Sequence, residues 1–295
     1  MVIKHLVIAG GGPSGLFTYG AAKYLEKEKF WNIDTIETIY GTSIGAFIGA
    51  VIALKHEWDI LDDYIIKRPW EKLIDVSPED LFKAWEKKGI FGDEFLREAL
   101  KPLLEAQGLN SNITLKEFYE FSKIELHMFS VNINIEPLKP VDISYKTFPN
   151  LSLIKAISMS TAIPFMFKPI ILDGGCYIDG GLLCNFPLDL CLADTKCNEN
   201  EILAFKNIWS TDHNVTPIVE TTNILSYWVF ILKILVKEIS SEEKQPSIPN
   251  IVNCIIEDIN GYEDWINILG SKDSREKCIK KGEMAGFMFK RYKMS

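Results

Sequence analysis

The stretch HLVIAGGGPSGLFTYGAAKYLEK (residues 5–27) joins a short apolar run to a glycine cluster and then to a segment with helical periodicity. The apolar run predicts a buried strand over residues 3–9, and the periodic segment predicts a helix over residues 15–28. Gly10, Gly12 and Gly15 fit the pattern G-x-G-x-x-G, which lets the backbone of dinucleotide-binding proteins approach a pyrophosphate. The same glycines could instead present backbone N–H groups to the oxyanion of a reacting carbonyl group. The stretch predicts an α/β fold and leaves two kinds of site open.

The composition is that of a globular protein, with 295 residues, 47% of them hydrophobic and 24% charged. The formal net charge of −8 argues against a nucleic-acid-binding protein, because neutralising phosphates requires clustered Lys and Arg. The first apolar run ends in glycines without a small-residue cleavage site, so we interpret it as a strand and not as a signal peptide. No segment reaches the roughly 18 uninterrupted apolar residues of a membrane span. We therefore expect a cytoplasmic protein.

The cysteines form no C-x-x-C pair, and four of them are spaced more widely than the usual ligands of a zinc ion. We expect them to be reduced, mostly buried thiols that bind no metal. The six are Cys176, Cys184, Cys191, Cys197, Cys254 and Cys278.

Strand-like and helix-like segments alternate along the chain, which predicts a mainly parallel central sheet with helices on both faces in one domain over residues 1–295. Further strands are predicted over residues 36–40, 125–135, 168–172, 176–178, 201–209 and 250–259. Helices are predicted within 59–123, over 152–162 and over 271–291, with Ser271 as the N-cap of the last one.

A second glycine motif, GTSIG (residues 41–45), lies between a predicted strand and a predicted helix and matches G-x-S-x-G. In that context the serine of the motif occupies a sharp turn that exposes its hydroxyl group, and the following helix directs its positive N-terminus at the site. Gly41 and Gly45 would remove side chains that clash where the turn folds back. The motif predicts that Ser43 is a nucleophile.

The second motif also bears on the first. A dinucleotide site requires an acidic residue at the end of the second strand, and Asp34 and Glu37 lie near the required distance. Glu37 is inside the predicted strand, however, and that strand ends at Tyr40 in the serine turn. An oxyanion loop beside a nucleophilic serine uses both glycine motifs, whereas a dinucleotide site leaves the second one without a role.

Several residues could accept the proton of the serine. His213 would give the order Ser–Asp–His of the α/β-hydrolases. The other three histidines are poor candidates for a base, because His5 and His127 lie within predicted strands and His56 follows the helix after GTSIG. Asp173 and Asp179 each begin an Asp-Gly-Gly turn, in which the backbone holds a carboxylate in place. Both turns could also be plain hairpin turns, because Asp-Gly is a strong turn signal.

The three motifs together resemble the patatin-like phospholipases, which carry a glycine-rich loop, then G-x-S-x-G, then Asp-Gly-Gly or Asp-Gly-Ala. The surrounding sequence is similar too, in KGIFGDEFLREALKPLL, ITLKEFYEF and AISMSTAIPFMFKPIILDGGCYIDGGLLCNFPL. The resemblance is strongest over residues 4–209 and weak over 210–270, and the last helix (271–291), with Gly282 and Gly286, resembles the end of the family domain.

The resemblance implies a three-layer α/β/α fold and a lipid acyl hydrolase that uses a Ser43–Asp179 dyad without histidine. It selects Asp179, which precedes the pattern Gly-Gly-x-x-x-Asn-x-Pro, and places Asp173 in a noncatalytic turn. It further implies a phospholipid or other lipid ester as substrate, and this chemistry requires no metal or organic cofactor. An enzyme whose substrate lies in a bilayer must dock there, so we expect a membrane surface as a peripheral partner. The implied oxyanion-hole residues are Gly10, Gly11 and Gly12, and the implied supporting residues are Gly15, Gly41, Gly45, Gly180 and Gly181.

One position departs from the family pattern. The family loop usually has Arg or Lys immediately before its last glycine, and this chain has Ser14 there. We expect an altered rate or specificity from this change. A non-catalytic lipid-binding protein with the same fold therefore stays an alternative, as does a flavin or nicotinamide oxidoreductase on the basis of the first glycine loop alone.

The segment NILSYWVFILKILVKEIS (residues 223–240) is apolar nearly all the way around a helix. Burial in the core explains such a helix. A lid or a membrane-docking helix is the other interpretation, since Tyr227 and Trp228 suit the headgroup region and the two lysines could reach lipid phosphates.

Overall fold

Strands and helices alternate along most of the chain in the computed structural model, which describes residues 2–74, 77–209, 218–241, 246–257, 259 and 261–294. The strands are β1 (His5–Ile8), β2 (Thr38–Thr42), β3 (Gly89–Phe91), β4 (Glu125–Asn132), β5 (Pro140–Ile143), β6 (Phe165–Phe167), β7 (Ile170–Leu172), β8 (Gly175–Asp179), β9 (Ile202–Trp209) and β10 (Ile251–Ile256). The helices are α1 (Gly15–Lys27), α2 (Ile44–Ala53), α3 (Trp58–Lys67), α4 (Glu71–Ile74), α5 (Pro78–Lys87), α6 (Asp93–Ala106), α7 (Leu115–Ser122), α8 (Leu153–Thr161), α9 (Leu188–Thr195), α10 (Ile224–Ser241), α11 (Tyr262–Gly270) and α12 (Lys272–Met294).

The central sheet is mainly parallel, as the sequence predicts. Strands β10, β9, β1, β2 and β4 lie side by side and run parallel. Strands β5 and β8 pair with β4 in the antiparallel direction, and β7 pairs with β8. Each parallel step is a crossover through at least one helix, which is the connection that parallel strands require.

Side chains of the central strands alternate between two hydrophobic clusters, one on each face of the sheet. On β1, Leu6 and Ile8 contact the larger cluster, which includes residues of α1, α2, α8 and α12. Val7 and Ala9 contact the smaller one, to which α9 contributes Leu188 and Cys191. The expected three-layer arrangement of helices, sheet and helices is therefore correct.

Most predicted elements are present with boundaries shifted by a few residues, and the predicted cap of the last helix is confirmed, since the Ser271 hydroxyl accepts a hydrogen bond from the N–H group of Ser274. Five short elements are missing from the prediction: β3, β5, β6, α9 and α11. The described part of residues 59–123 is mainly helical, as expected, but it also contains β3, whose partner β6 lies more than 70 residues away. Strands of three or four residues show too little periodicity to be recognised, and pairing with a distant partner defines them.

None of the helices that the structure describes is long and apolar enough to cross a membrane. None of the six cysteines forms a disulfide bond, and four of them are buried.

Candidate active site

Two strands reach the same flank of β4 from opposite directions. Thr42, the last residue of β2, pairs with Phe129, and Asp179, the last residue of β8, pairs with the next residue, Ser130. Because β5 pairs with both Phe129 and Ser130 on the other side, β2 and β8 must share one flank. The carboxyl end of β2 and the carboxyl end of β8 therefore meet, and Ser43 and Asp179 meet with them.

Ser43 occupies the strained turn that the G-x-S-x-G motif predicts. Its backbone has φ 55° and ψ −123°, which is a rare conformation for a residue with a side chain. Its N–H group donates to the hydroxyl oxygen of Ser160 at 3.0 Å, and the Ser160 hydroxyl donates to the carbonyl oxygen of Phe129 at 2.7 Å. The strain is thus maintained by hydrogen bonds to α8 and β4, and strain of this kind concentrates at functional sites.

Gly41 and Gly45 make the turn sterically possible, as expected. A Cβ atom on Gly41 would lie 2.5 Å from the carbonyl oxygen of Gly45, and one on Gly45 would lie 2.3 Å from the carbonyl oxygen of Ile8. Both contacts are with backbone atoms, which cannot move aside as a flexible side chain can. The two glycines let α2 begin directly against β1 and β2.

Asp179 presents a buried carboxyl group to the Ser43 hydroxyl. Its Oδ1 accepts a hydrogen bond from the N–H group of Gly181 at 2.7 Å, and its Oδ2 is buried without a well-aligned donor among the described residues. Burial raises the pKa of the carboxyl to about 6, while interactions with the Ser43 hydroxyl and the Gly181 N–H group limit the rise. A carboxyl with this pKa is mostly ionised at neutral pH and can accept a proton.

The turn after Asp179 is held by close contacts with its neighbours. A Cβ atom on Gly180 would lie 2.2 Å from the carbonyl oxygen of Phe129, and one on Gly181 would lie 2.9 Å from Oδ1 of Asp179. The other Asp-Gly-Gly sequence is an ordinary hairpin turn, because Asp173 and Gly174 have positive φ angles and connect β7 to β8 in the exposed loop. The structure thus separates the two turns as the resemblance implied.

The first glycine loop lies beside Ser43, since a Cβ atom on Gly10 would be 3.3 Å from the Ser43 Cβ atom and 2.4 Å from Oδ1 of Asn185. The N–H group of Gly10 donates to the carbonyl oxygen of Asn185 at 2.9 Å. Gly10 is therefore not a free oxyanion donor, and the expectation for this residue is corrected. The N–H groups of Gly11 and Gly12 have no partner among the described residues, and both residues are half-buried.

Ser14 and Asn207 hold this loop by hydrogen bonds. The fully buried Ser14 hydroxyl donates to the carbonyl oxygen of Gly11 at 2.9 Å. The Nδ2 group of Asn207 donates to the carbonyl oxygen of Gly10 and to the Ser14 hydroxyl, both at 3.0 Å. A neutral network therefore fixes the loop at the position where the family pattern has a cation.

Two helix N-termini converge on the serine. Helix α2 begins at Ile44, directly after Ser43, and α1 begins at Gly15, directly after the glycine loop. The two ends touch, because a Cβ atom on Gly15 would lie 2.3 Å from the Ile44 side chain. The partial positive charge of both helices favours negative charge that develops between them.

Trp265 of α11 covers the outer side of the loop. A Cβ atom on Gly12 would lie 2.8 Å from its indole ring, and its Nε1 atom is buried without a hydrogen-bond partner among the described residues. A helix near the carboxyl end of the chain therefore forms part of the wall of the site.

The described histidines are engaged elsewhere. His5 Nδ1 lies 2.8 Å from Thr38 Oγ1, His56 Nε2 lies 2.8 Å from the carbonyl oxygen of Leu103, and His127 Nδ1 lies 2.9 Å from an oxygen of Asp142. His213 lies outside the described residues.

One group of side chains within the described ranges has donor atoms close enough to bind a metal ion. It consists of His5, Cys197 and Glu201, whose donor atoms lie within 4.8 Å of one another. Glu201 already pairs with Lys4 at 3.5 Å. The group lies at the first residue of β1, about 16 Å along the chain from the glycine loop, so it takes no part in chemistry at Ser43.

Three residues of the site are missing from the sequence prediction: Ser160, Asn207 and Trp265. Asn207 is the one that carries a recognisable signal, because it is an uncharged polar residue near the end of a mainly apolar strand, in the segment AFKNIW. Buried polar residues in such strands require partners, and these partners often belong to a site.

A family model described as patatin-like phospholipase matches residues 6–192. The probable lipid hydrolase 463L of Invertebrate iridescent virus 6 is 26% identical over 215 residues, which cover 70% of this chain and 71% of that protein. The uncharacterized protein R571 of Acanthamoeba polyphaga mimivirus is 28% identical over 206 residues, covering 68% of this chain and 67% of that one.

The crystal structure of VipD from Legionella pneumophila has a similar fold. The similarity has a TM-score of 0.51 at 16% identity and covers 96% of this chain and 67% of VipD.

Proposed function

The chain belongs to the patatin-like phospholipase family, and from this premise we propose that it hydrolyses carboxylic esters of phospholipids or related lipids with Ser43 and Asp179 as a catalytic dyad. The observation that carries the proposal is the meeting of a strained serine with a buried carboxyl of raised pKa at the junction of β2 and β8. The names of relatives such as the probable lipid hydrolase support a lipid ester as the substrate.

In the acylation step, the Ser43 Oγ atom attacks the ester carbonyl carbon while the Asp179 carboxylate accepts the hydroxyl proton. The carbonyl oxygen becomes an oxyanion, which the N–H groups of Gly11 and Gly12 stabilise together with the N-termini of α1 and α2. The tetrahedral intermediate then collapses, and the leaving alcohol takes the proton from Asp179. The products of this step are the free alcohol and an acyl-Ser43 ester.

In the deacylation step, Asp179 accepts a proton from a water molecule that attacks the acyl carbon. Collapse of the second tetrahedral intermediate returns the proton to Ser43 Oγ and releases a fatty acid. One carboxyl group can serve in both steps because it regains its initial state after each of them.

The alternatives are less well supported. The absence of a cation at Ser14 is the basis for a non-catalytic lipid-binding protein, but the hydrogen bonds of Ser14 with Gly11 and Asn207 position the loop without a cation. A flavin or nicotinamide oxidoreductase would leave the Ser43 turn without a role.

We also propose one domain over residues 1–295. The family model ends at residue 192, but β9 and β10 follow it and extend the same sheet on the β1 side.

The test compares wild type with Ser43→Ala and Asp179→Asn on mixed phospholipid liposomes, with products identified by mass spectrometry. We expect Ser43→Ala to lose at least about 1,000-fold in rate and Asp179→Asn to lose about 100- to 10,000-fold. A fluorophosphonate probe should label wild type and not Ser43→Ala.

Asp173→Asn is the matched control, since it alters the same type of turn outside the site, and it should retain its activity. His213→Ala tests the triad. If it is as inactive as Ser43→Ala, or if Ser43→Ala is still labelled, the dyad is wrong.

A further inference from the structure

Two aromatic side chains on α5 are almost completely exposed. Phe82 is 82% exposed and Trp85 is 90% exposed. They are three residues apart in a helix of ten residues, so they project from the same face. Large aromatic side chains that protrude in this way mark contact sites with a partner or a membrane.

Paired residues connect the helix that carries this face to the proposed catalytic residues. Helix α5 ends two residues before Gly89, whose strand partner is Phe165. Phe165 is 46% exposed, and only two residues separate it from Ala162, whose carbonyl oxygen accepts a hydrogen bond from the N–H group of Asp179. A short continuous path therefore joins the aromatic face to the site.

Phe165 also connects this face to α10. It has a φ angle of 68°, a strained value for an aromatic residue, and its ring stacks on that of Trp228 with centroids 4.0 Å apart. Exposed apolar side chains continue along α10, namely Ile224, Tyr227, Ile234 and Leu235. Exposed apolar side chains therefore occur on α5, at Phe165 and along α10, and the ring stack joins the last two.

The charge around the aromatic pair indicates which partner fits. Residues 79–88 contain three acidic and three basic side chains, and the whole chain has a net charge of −8. An electrostatic attraction to anionic lipids or to nucleic acid is therefore not expected from this face. Trp and Phe in a neutral setting suit the headgroup region of a lipid bilayer, where an indole ring can bury its apolar body and keep its N–H group hydrated.

We propose that α5 inserts Phe82 and Trp85 into the interfacial region of a lipid bilayer and thereby docks the site on the membrane that contains its substrate. The proposal rests on the proposed lipid hydrolase function, because the connection of the aromatic pair to the site matters only if the substrate lies in a bilayer. The occupant of this face is zwitterionic lipid.

The first measurement uses the full-length chain and phosphatidylcholine vesicles with brominated acyl chains, which quench a tryptophan that enters the bilayer. We expect quenching with wild type and much weaker quenching with Trp85→Phe, which keeps an aromatic anchor and still binds the vesicles. If wild type does not bind vesicles, or if Trp85→Phe is quenched as strongly as wild type, the proposal is overturned.

The second measurement is vesicle flotation of the double variant Phe82→Glu/Trp85→Glu. We expect at least a tenfold loss of binding, little dependence of wild-type binding on salt, and unchanged hydrolysis of a short-chain soluble ester. Ile60→Glu is the matched control, because Ile60 is 54% exposed on α3, and it should bind vesicles like wild type. Equal binding by the double variant and wild type would contradict the proposal.

The two proposals fail in different ways. If vesicle binding requires Phe82 and Trp85 but the protein has no esterase activity, the proposed hydrolase function is wrong and the proposed docking role of α5 stands. Sedimentation could also show that wild type is a dimer and the double variant a monomer, while both bind vesicles equally. In that case the face is an interface between two copies, and the docking proposal is wrong.

Discussion

At the scale of single residues, the environment of Asp179 decides what the carboxyl group can do. Burial raises its pKa to about 6, whereas its ordinary value is about 4. A base must be ionised to accept the Ser43 proton, so the folded structure sets the lower pH limit of the proposed reaction.

We expect kcat/KM for a soluble ester to rise with pH through about 6 and then to level off. The measurement is a pH–rate profile of wild type at constant ionic strength. A midpoint near 4 would mean that the carboxyl is not buried during the reaction, and a midpoint that disappears in His213→Ala would assign it to histidine.

The same pKa has a consequence for stability. A carboxyl whose pKa is higher in the folded state binds protons more tightly there, so its contribution to stability falls as the pH rises from about 4 to about 6. At pH 7 the cost is on the order of 2–3 kcal/mol. We expect Asp179→Asn to have a larger free energy of unfolding than wild type at pH 7 and a similar one at pH 4, as measured by urea denaturation. A lower stability at pH 7 would contradict this account.

Ser14 supports a third prediction at this scale. Introducing the cation of the family pattern, by Ser14→Arg, should destabilise the protein by about 2 kcal/mol or more. The reason is that Ser14 is fully buried and that its hydroxyl group forms hydrogen bonds with Gly11 and Asn207. Ser14→Ala should cost about 1 kcal/mol and reduce kcat more than it changes KM. If Ser14→Arg is stable and more active than wild type, the loop has room for the cation and the neutral network is dispensable.

At the scale of elements, close backbone contacts bring the strand ends and helix N-termini together. Gly41 and Gly45 let α2 begin against β1 and β2, and Gly15 lets α1 touch Ile44. The glycines of the two motifs therefore act on the packing of elements and not only on the conformation of a loop.

The substitution Gly45→Ala tests this packing. The added methyl group would lie 2.3 Å from the carbonyl oxygen of Ile8, and we expect a loss of about 1–3 kcal/mol in the free energy of unfolding together with a loss of activity. Gly270→Ala is the control, since a Cβ atom there meets nothing within 4 Å, and it should leave both quantities unchanged. If Gly45→Ala is as stable as Gly270→Ala, α2 can move away from β1 and the close packing at Gly45 is not required.

At the scale of the whole molecule, elements beyond the family match complete the site. Trp265 of α11 covers Gly12, and α10 packs beside the turn that follows Asp179. Helix α10 is neither fully buried nor fully exposed: Val229 is buried and Trp228 stacks on Phe165, whereas Ile234 and Leu235 face outward. Its membrane-docking role stays a prediction.

The stacking of Trp228 on Phe165 predicts the effect of substituting Trp228. We expect Trp228→Glu to lower the melting temperature by roughly 5 °C, for a loss of about 2 kcal/mol, and to reduce the hydrolysis of soluble and liposomal esters together. Ile234→Glu, on the outer face of the same helix, should leave the melting temperature unchanged. If Trp228→Glu keeps its melting temperature and loses only liposomal activity, Trp228 is a docking residue.

The sequence by itself determined the features that depend on local pattern. The alternation of strands and helices predicted the mainly parallel three-layer fold, and the strand–turn–helix context of GTSIG predicted the strained turn at Ser43. Choosing Asp179 over Asp173 required the family resemblance, because both begin the same turn sequence. The fold and the strained turn were predictable because glycine spacing and hydrophobic periodicity act over a few residues.

Only the tertiary structure decided which groups meet across the chain. Asp179 reaches Ser43 because β8 is antiparallel to β4 on the flank that β2 occupies, and the order of elements does not reveal that direction. The N–H group of Gly10 donates a hydrogen bond to the carbonyl oxygen of Asn185, which is far away in the sequence. The side chain of Asn207 holds the glycine loop by a hydrogen bond across almost 200 residues. Such contacts depend on which distant groups share a volume, and no local pattern contains that information.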